Sequence, residues 1–496
     1  MRSDAIKLKI KLDSVNLTGD FSLYLFDDKR KQDVEQLFKI LEKIATRFEG
    51  KKVASDSSSL LIYLRALREH YQRGAGISIP QGLTVHEINA RKDAIANALI
   101  DEAAGQSAII KLPAHFLFGT ATSALQIETA GYHDWTGLHA KDGSVLHNTI
   151  AHEKFWRSDA DIISYLGNAY RCSLDWGRLQ RAPYAEFDAG AVAEYRGFLS
   201  RLKMSGLYVM LTLHHYASPI WFTQNYTWAH PESVALFKNY TEQMIKHFGD
   251  LCDSWVTFNE PELLVIFSYV QGKYPPYKKN LLQAKQALDN IVKSHNEAYS
   301  LLKKSLSAPV GIAKNEMYYM GSNFLGSFAA RTWSYIMNSR IHSAFSNTDY
   351  VGINYYGKVT FNPFPLVEID NPGILEKHGK RHDDMWEYAP ILFIRRLKKL
   401  WRKYHKPIHI TENGCCTKND NLRIRYVRAH LYAIQKAIQA GVDVRSYFYW
   451  STFDNFELAL GPSYRFGLVE INPITKARTI KPSGHYYAKL RLNRTE

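Results

Sequence analysis

Eight short apolar runs recur along the chain from about residue 116, and a stretch of helical periodicity follows each of them. Their starts lie roughly 40 to 55 residues apart, which leaves room for one helix and its loops. The runs span residues 116–122, 169–176, 208–215, 254–261, 310–315, 350–357, 407–414 and 446–455. Strands alternating with helices predict a parallel α/β sheet, and eight such units predict a closed (β/α)8 TIM barrel.

The first 111 residues follow a different pattern. Two runs, 6–12 and 21–26, predict strands, and three stretches near 31–48, 57–73 and 84–104 predict helices. We therefore expect a small N-terminal α+β extension at 1–111, of unknown function, ahead of a barrel domain at 112–496. The extension is expected to contact the barrel or another protein.

Composition fits this picture, since 46% of residues are hydrophobic and 22% are charged, as in globular proteins. The N-terminus lacks the apolar stretch of a secretory signal, and the longest apolar run, 263–270, is too short to span a membrane. Four scattered cysteines do not suggest a disulfide framework. These features predict a cytoplasmic protein with free thiols and no integral membrane segment.

The net charge is +15, from 63 basic and 48 acidic residues, and its densest cluster is segment 393–406. Ile394, Leu397, Trp401 and Tyr404 recur there at helical spacing. We expect a helix that packs this apolar stripe inward and exposes its Lys and Arg side chains to solvent. This interpretation is favoured over binding of nucleic acid or an anionic surface.

Polar residues come at or just past the carboxyl end of nearly every run. They are Gln126, Glu128, His214, His215, Asn259, Glu260, Asn354, Tyr356, Glu412, Asn413, Asp454, Asn455 and Glu457. In a barrel these ends open on one face, where the active sites of this fold lie. The sequence therefore predicts that these side chains project into one bowl.

Two carboxylates in this set, Glu260 and Glu412, suit glycoside hydrolysis, in which one acid protonates the leaving oxygen and the other stabilises or attacks the sugar. Their separation decides between retention and inversion of configuration, and a sequence does not supply it. The acid needs a raised pKa and the partner must stay ionised, for which Arg171 and Tyr356 are available donors. Trp450 and Trp176 are placed to stack on a sugar ring.

At these residues the sequence resembles glycoside hydrolase family 1, the β-glucosidase and β-galactosidase family of retaining enzymes. The resemblance covers about 112–490. It rests on FLFGTATSALQIE, YRCSLDWGRL, TLHHYASPIWF, WVTFNEP, YVGINYYG, PIHITENG and YFYWSTFDNFELALGPSYRFGLVEIN, which occur in the order of the family.

The resemblance implies roles for the bowl residues. Glu260 would be the acid/base and Glu412 the nucleophile of a covalent glycosyl-enzyme intermediate, with Arg171 and Tyr356 holding Glu412 ionised. The residues implied to bind the sugar are Asn259, Gln126, His215, Asn354, Glu457 and Trp450. The resemblance also implies a cis peptide after Trp450.

Two departures from the family pattern bear on specificity. Leu458 stands where the family usually has a second sugar-binding Trp, so glucose is not necessarily the preferred sugar among glucosides, galactosides and fucosides. The segment 316–349 is shorter than usual, which predicts a reduced wall on the aglycone side and a more open bowl.

Other classes of function fit less well. The HEINA and HEKFW segments at His86 and His152 lack the second His of a zinc helix, so neither a metal nor a cofactor is expected. A catalytically weak sugar-binding or scaffold protein, and a transglycosylase using the same intermediate, remain as alternatives. The expected partner is a small-molecule β-glycoside or oligosaccharide, not nucleic acid.

Overall fold

The computed structural model describes the backbone of 6–9 and 22–25 and then the chain from residue 97 onward. Within that part it covers residues 97, 100–101, 103–105, 110–129, 131–146, 150–321, 324–361, 386 and 388–492. The helices predicted at 31–48 and 57–73, and most of the helix predicted at 84–104, lie outside the described residues. The division of the chain at 111 stays a prediction.

Eight parallel strands close into a barrel, as the sequence predicts. After β1 (Ile6–Lys9) and β2 (Ser22–Leu25), the barrel strands are β3 (Leu117–Ala121), β4 (Ala169–Ser173), β5 (Tyr208–His214), β6 (Ser254–Asn259), β7 (Val310–Asn315), β9 (Val351–Asn354), β11 (Ile408–Asn413) and β12 (Val444–Trp450). Each pairs with the next in the chain, and β12 pairs with β3 to close the ring. Seven of the eight predicted runs therefore contain a barrel strand, and the eighth, 446–455, overlaps β12.

The barrel strands are apolar on both faces because helices cover the outside and side chains fill the inside. Every residue of β4, β6, β7, β9 and β11 is buried. The polar residues of these strands are concentrated toward their carboxyl ends. The strands that form the core therefore also position polar side chains at one end of the barrel. Besides β1 and β2, four short strands lie outside the ring, β8 (Tyr318–Gly321), β10 (Lys358–Phe361), β13 (Val469–Ile471) and β14 (Arg478–Ile480).

Long amphipathic helices surround the ring. They are α2 (His152–Leu166), α4 (Ala189–Met204), α6 (Ser233–Phe248), α8 (Leu281–Ser305), α9 (Phe324–Ser334), α11 (Pro390–Tyr404), α12 (Asp420–Gln439) and α13 (Pro482–Leu492). Shorter ones are α1 (Ala124–Ile127), α3 (Trp176–Leu179), α5 (Ile220–Asn225), α7 (Pro261–Val265) and α10 (Ile341–Ala344). Two π-helical turns, Ile266–Val270 and Tyr335–Arg340, continue α7 and α9. Within the described residues, no helix combines the length and the apolar character needed to cross a membrane.

The segment just before the barrel is anchored to it. Strands β1 and β2 lie within the two predicted runs, over shorter spans, and pair antiparallel. Asn97 accepts a hydrogen bond from the backbone N–H of Ile391 at 3.0 Å, and the Asp101 carboxylate forms an ion pair with Arg425 at 2.7 Å. These contacts attach the chain ahead of the first barrel strand to α11 and α12.

Helix α11 carries the basic cluster and packs its apolar stripe inward, as predicted. Ile394 and Leu397 are buried, and Lys399, Arg402 and Lys403 are exposed. The expectation of a fully solvated basic face is wrong, because Arg396 and Lys398 are buried as well. The Arg396 guanidinium is buried because it forms an ion pair with the buried carboxylate of Glu316.

The four cysteines, Cys172, Cys252, Cys415 and Cys416, are buried and no disulfide joins them. Burial raises the pKa of the Cys172 thiol to about 12, so that thiol stays protonated at neutral pH. Cys415 and Cys416 follow β11 directly and are fully buried.

Candidate active site

A cavity opens at the carboxyl ends of the barrel strands. Eight of the ten side chains proposed from the sequence line it, namely Gln126, His215, Asn259, Glu260, Tyr356, Glu412, Trp450 and Glu457. The other two, Arg171 and Asn354, are buried beneath it and contact the lining residues. The strand ends therefore bring residues up to 331 positions apart in the chain, Gln126 and Glu457, into hydrogen-bond contact.

Glu412 ends β11 and is held by two donors. The Arg171 Nη1 atom lies 2.6 Å from Glu412 Oε1, and the Tyr356 hydroxyl donates to Oε2 at 2.7 Å. Gly414 lies two residues further on, where a Cβ would stand 1.7 Å from the Trp450 carbonyl oxygen. Only glycine fits this close approach, so the sequence TENG places Glu412 and Trp450 on adjoining parts of the cavity.

Glu260 follows β6 and is surrounded by neutral donors. Tyr216 donates its hydroxyl to Oε2, while Asn315 Nδ2 and Asn354 Nδ2 donate to Oε1 at 3.1 and 3.0 Å. Glu260 has φ of +43°, a left-handed conformation that is uncommon outside glycine, and it precedes α7, which starts with Pro261. The strand-to-helix turn thus aims this carboxylate into the cavity at some cost in backbone strain.

A hydrogen-bond network connects the two carboxylates. Arg171 Nη2 donates to Asn259 Oδ1 at 2.8 Å, and Asn354 Nδ2 donates to the same oxygen at 3.0 Å. Asn354 in turn contacts Glu260, and Arg171 contacts Glu412. Because each group in this network is buried and partnered, the relative positions of the carboxylates are fixed before any ligand binds.

Burial dominates the electrostatics of Glu412. Desolvation and the nearby charge of Glu260 raise the pKa of Glu412 to about 7, although Arg171 and Tyr356 act to lower it. From the sequence we expected the two donors to be sufficient to keep this group well ionised. The two donors offset part of the cost of burial, and the pKa of Glu412 stays above its usual value because desolvation is the larger effect.

The Tyr356→Phe variant tests this balance. Removing a hydroxyl that donates to the Glu412 carboxylate raises the pKa of Glu412 further, since the ionised form loses a stabilising bond. If catalysis needs ionised Glu412, the acidic limb of the kcat/KM profile moves about one unit toward higher pH. Tyr355→Phe is the matched control, because that buried hydroxyl bonds the Ala389 carbonyl instead. Identical profiles for both variants and the parent would contradict the assignment.

One side of the cavity carries paired polar groups suited to sugar hydroxyls. Gln126 Nε2 donates to Glu457 Oε2 at 3.1 Å, and Ser123 donates to Gln126 Oε1 at 2.8 Å. Burial and the charge of Glu412 raise the pKa of Glu457 to about 8. These groups can both donate to and accept from a neutral polyol.

The aromatic part of the cavity is formed by Trp450 and His215. Their rings stack with centroids 5.6 Å apart, and Asn259 Nδ2 lies 3.1 Å from His215 Nε2. Burial holds the pKa of His215 well below its usual value, so the ring is neutral and Nε2 can accept this bond. The Trp450–Ser451 peptide is cis, as the family resemblance implies.

Two residues of the site were missing from the sequence-based set. Tyr216 and Asn315 both donate to Glu260. Asn315 is the last residue of β7. It fits the observation that polar site residues come at the carboxyl ends of the strands, so this pattern could have identified it. Tyr216 directly follows His214 and His215. The local sequence pattern does not distinguish it from a tyrosine that packs in the core.

Several residues expected in the bowl have structural roles elsewhere. The Glu128 carboxylate accepts a bond from the Tyr195 hydroxyl at 2.6 Å and pairs with Arg178 at 3.3 Å, outside the cavity. Asp454 pairs with Lys481 at 2.8 Å and with Arg465 at 3.2 Å. Both carboxylates are satisfied by cations that lie distant in the sequence, which explains why they do not face the cavity.

The remaining corrections concern neutral side chains. His214 bonds Ser218 at 3.1 Å, on the opposite side of the strand end from His215, and Asn413 bonds the Tyr426 hydroxyl at 2.9 Å. The expectation that Trp176 stacks on a sugar is wrong. Its ring lies 4.7 Å from that of Tyr240 within a buried aromatic cluster, away from the cavity.

Nothing in the described part of the chain groups three or more His, Cys, Asp or Glu side chains in a way that could hold a metal ion. The positive charge directly beneath the cavity is supplied by Arg171, which is 1% exposed. The arrangement can therefore place one fixed cation, two carboxylates and several neutral donors around a bound sugar. That set matches the demands of acid and nucleophilic catalysis at an acetal carbon.

Comparison with known proteins agrees with this geometry. The sequence profile described as "Glycosyl hydrolase family 1" matches residues 109–324 and 329–495. A β-glucosidase A of Thermotoga maritima is 27% identical over 437 residues, which cover 77% of this chain and 97% of that protein. The solved structure of a β-glycosidase from Pyrococcus horikoshii has 31% identity and a TM-score of 0.69, covering 78% of this chain and 96% of that one.

A plant relative extends the range of chemistry among similar proteins. The chloroplastic galactolipid galactosyltransferase SFR2 of Arabidopsis thaliana is 29% identical over 404 residues, covering 75% of this chain and 64% of that protein. The profile match covers nearly all of the barrel, and the fold is similar to that of the solved glycosidase. This chain therefore belongs to glycosyl hydrolase family 1, a family of retaining β-glycosidases.

Proposed function

We propose that this protein hydrolyses β-linked glucosides, galactosides or fucosides with retention, using Glu412 as the nucleophile and Glu260 as the acid/base. One observation carries the assignment of the two roles. The fixed guanidinium of Arg171 lies 2.6 Å from Glu412, whereas the three hydrogen bonds to Glu260 come from neutral donors. A cation favours the ionised form of its partner, so Glu412 is the carboxylate suited to attack.

In the first step a Glu412 oxygen bonds the anomeric carbon while the bond from that carbon to the aglycone oxygen breaks. Glu260 gives its proton to the departing oxygen, which leaves as an alcohol. Arg171 and Tyr356 hold the attacking carboxylate in position and the network through Asn259 maintains the spacing of the pair. The product is a glycosyl ester of Glu412.

In the second step Glu260 takes a proton from water, whose oxygen bonds the anomeric carbon and releases Glu412. Two inversions give net retention. The sugar would be oriented by the groups beside the carboxylates. Asn259 uses its oxygen for Arg171 and Asn354 and one amide hydrogen for His215, so one amide hydrogen remains for a sugar hydroxyl.

The covalent intermediate gives the decisive experiment. We expect a 2-deoxy-2-fluoro-β-glycoside with an activated leaving group to add one fluorosugar to the protein, and mass spectrometry of peptides to place it on Glu412. The fluorine slows release more than formation, so the ester accumulates. A sugar-binding or scaffold protein would show no adduct and no turnover of 4-nitrophenyl glycosides. Turnover without an adduct would point to an inverting mechanism.

Leu458 is expected to influence which sugar is preferred. It lines the cavity directly after Glu457 and carries no polar group, where the family usually places an indole donor. Leu458→Trp should change the ratio of kcat/KM for glucoside over galactoside up to about tenfold, the value of one hydrogen bond to a neutral hydroxyl. The backbone at this position already has φ of +44°, so tryptophan adds no new conformational demand.

The Leu458→Phe variant distinguishes the effect of the indole N–H donor from the effect of the aromatic ring. Phenylalanine adds aromatic area without an N–H, so we expect its glucoside to galactoside ratio to stay close to that of the parent. Measurements use 4-nitrophenol release from the β-glucoside, β-galactoside and β-fucoside. Equal changes in the Trp and Phe variants would show that ring contact, not hydrogen bonding, sets the preference.

Glycosyl transfer is the second candidate activity. The galactolipid galactosyltransferase among the relatives is named for passing a sugar to an acceptor other than water. The same glycosyl ester on Glu412 would serve, with an acceptor hydroxyl replacing water in the second step. Product analysis in the presence of added alcohols and sugars distinguishes the two, since a transferase yields new glycosides in excess of free sugar.

A further inference from the structure

A second cavity adjoins the active-site cavity beside the segment 316–349, where the sequence predicts the wall on the aglycone side. It lies between the β8 segment, the α9 region with its π-helical turn, and α11. Met317 and Tyr319 line this cavity and the active-site cavity alike, so the two are separated by the thickness of these side chains.

Basic side chains dominate the lining of this second cavity. They are Arg331, Arg395, Arg396, Lys399 and Arg402. Hydroxyl and amide groups of Ser334, Tyr335, Asn338 and Ser339 complete the polar part. None of the described residues that line this cavity is acidic.

Arg396 provides the most specific feature. Its side chain is buried, with the residue 5% exposed, and its Nε atom forms an ion pair with Glu316. Glu316 also contacts His342 at 2.5 Å and Lys314 at 3.3 Å, and Lys314 is shared with Glu262 at 3.5 Å. Among the described residues, the Nη2 atom of Arg396 has no hydrogen-bond partner. A buried guanidinium N–H without an acceptor is costly, and an oxyanion would satisfy it.

We propose that this basic cavity binds a phosphate or sulfate ester group and forms an outer part of the aglycone site. Arg396 supplies a buried guanidinium, and Arg331 and Arg402 supply exposed cations at the rim. Guanidinium forks and hydroxyl groups are the donors that tetrahedral oxyanions prefer. The favoured substrate is then a β-glycoside whose aglycone ends in an anionic ester. The part of this inference that concerns the aglycone rests on the proposed hydrolase function.

Direct binding is measured first, by calorimetric titration of the full-length protein with inorganic phosphate. We expect saturable binding that weakens with added NaCl, since partly exposed charges are screened. The double variant Arg331→Gln/Arg402→Gln should bind phosphate about tenfold more weakly. Both positions are exposed, so the fold is expected to persist, and thermal unfolding verifies it.

Lys403→Gln is the matched control, because Lys403 is an exposed cation next to Arg402 that does not line the cavity. It should bind phosphate like the parent. Arg396→Gln addresses the buried donor and is interpreted only if its melting temperature matches the parent. Saturable binding that is equal in the parent and the double variant would mean an adventitious ion only and would overturn the proposal, as would absence of binding.

The aglycone assignment needs a second measurement. Aryl β-glycosides carrying a phosphate ester on linkers of increasing length are compared with uncharged analogues. One linker length should raise kcat/KM about tenfold in the parent and not in the double variant. Phosphate binding without this preference would make the cavity an effector site and overturn the aglycone role. No turnover of any uncharged glycoside would instead overturn the hydrolase function, while leaving the phosphate measurement intact.

Discussion

Replacing Glu412 with glutamine is expected to lower kcat by at least about a thousandfold on every glycoside, whatever its leaving group. An amide does not attack the anomeric carbon, so the first step loses its nucleophile. The substitution keeps the shape of the side chain, and its carbonyl oxygen can still accept a bond from Arg171, which also contacts Thr212 and Asn259. The buried guanidinium therefore retains partners, and the protein should stay folded.

Release of 4-nitrophenol and circular dichroism of the same samples check this expectation. Glu128→Gln is a suitable control, because Glu128 is also a buried carboxylate paired with an arginine but lies outside the cavity. It should retain activity. If Glu412→Gln kept more than a tenth of parental turnover, the nucleophile would have to be another residue.

Replacing Glu260 with glutamine is expected to have an effect that depends on the leaving group. Alkyl glycosides need proton donation and should lose about 100-fold to 10,000-fold in kcat/KM. A dinitrophenolate leaves without protonation, so the loss on dinitrophenyl glycosides should be much smaller for the first step. The glutamine carbonyl oxygen can still accept from Asn315 and Asn354, and its NH2 group can donate to the Tyr216 hydroxyl oxygen, which keeps the site assembled.

The comparison between the two variants tests the assignment of roles. Steady-state kinetics over a series of leaving groups gives a steep dependence for Glu260→Gln and a nearly constant loss for Glu412→Gln. The reverse pattern would exchange the acid and the nucleophile. Equal losses across the series in Glu260→Gln would mean that Glu260 positions the substrate and does not donate a proton.

Much of the fold was accessible from the sequence because barrel strands are buried on both faces and read as short apolar runs. All eight predicted runs overlap a barrel strand, and the family motifs occur at the strand ends. The two carboxylates and their immediate donors, Arg171 and Tyr356, could be proposed for the same reason. The side chain of a residue at a strand end can point in only a few directions. Because the eight strands form a closed ring, side chains at their carboxyl ends can reach the same cavity.

The pKa of Glu412 could not be read from the sequence. Its donors were predicted, but the extent of burial was not, and burial raises the pKa to about 7 despite those donors. Arg396 is a similar case. The helical pattern predicts that the Arg396 side chain is exposed to solvent. In the structure this side chain is buried, because it forms an ion pair with the buried carboxylate of Glu316. Both outcomes depend on contacts between residues brought together only by folding.

The sequence by itself determined the eight strands, the family, and the presence of two carboxylates at the carboxyl ends of β6 and β11. The tertiary structure decided which polar strand-end residues face the cavity. Glu128 and Asp454 resemble Glu260 and Glu412 locally, but Arg178 and Lys481 neutralise them elsewhere. The physical reason is that a buried carboxylate is stable only where a cation or hydrogen-bond donors compensate its charge. The residues that supply this compensation lie far away in the chain.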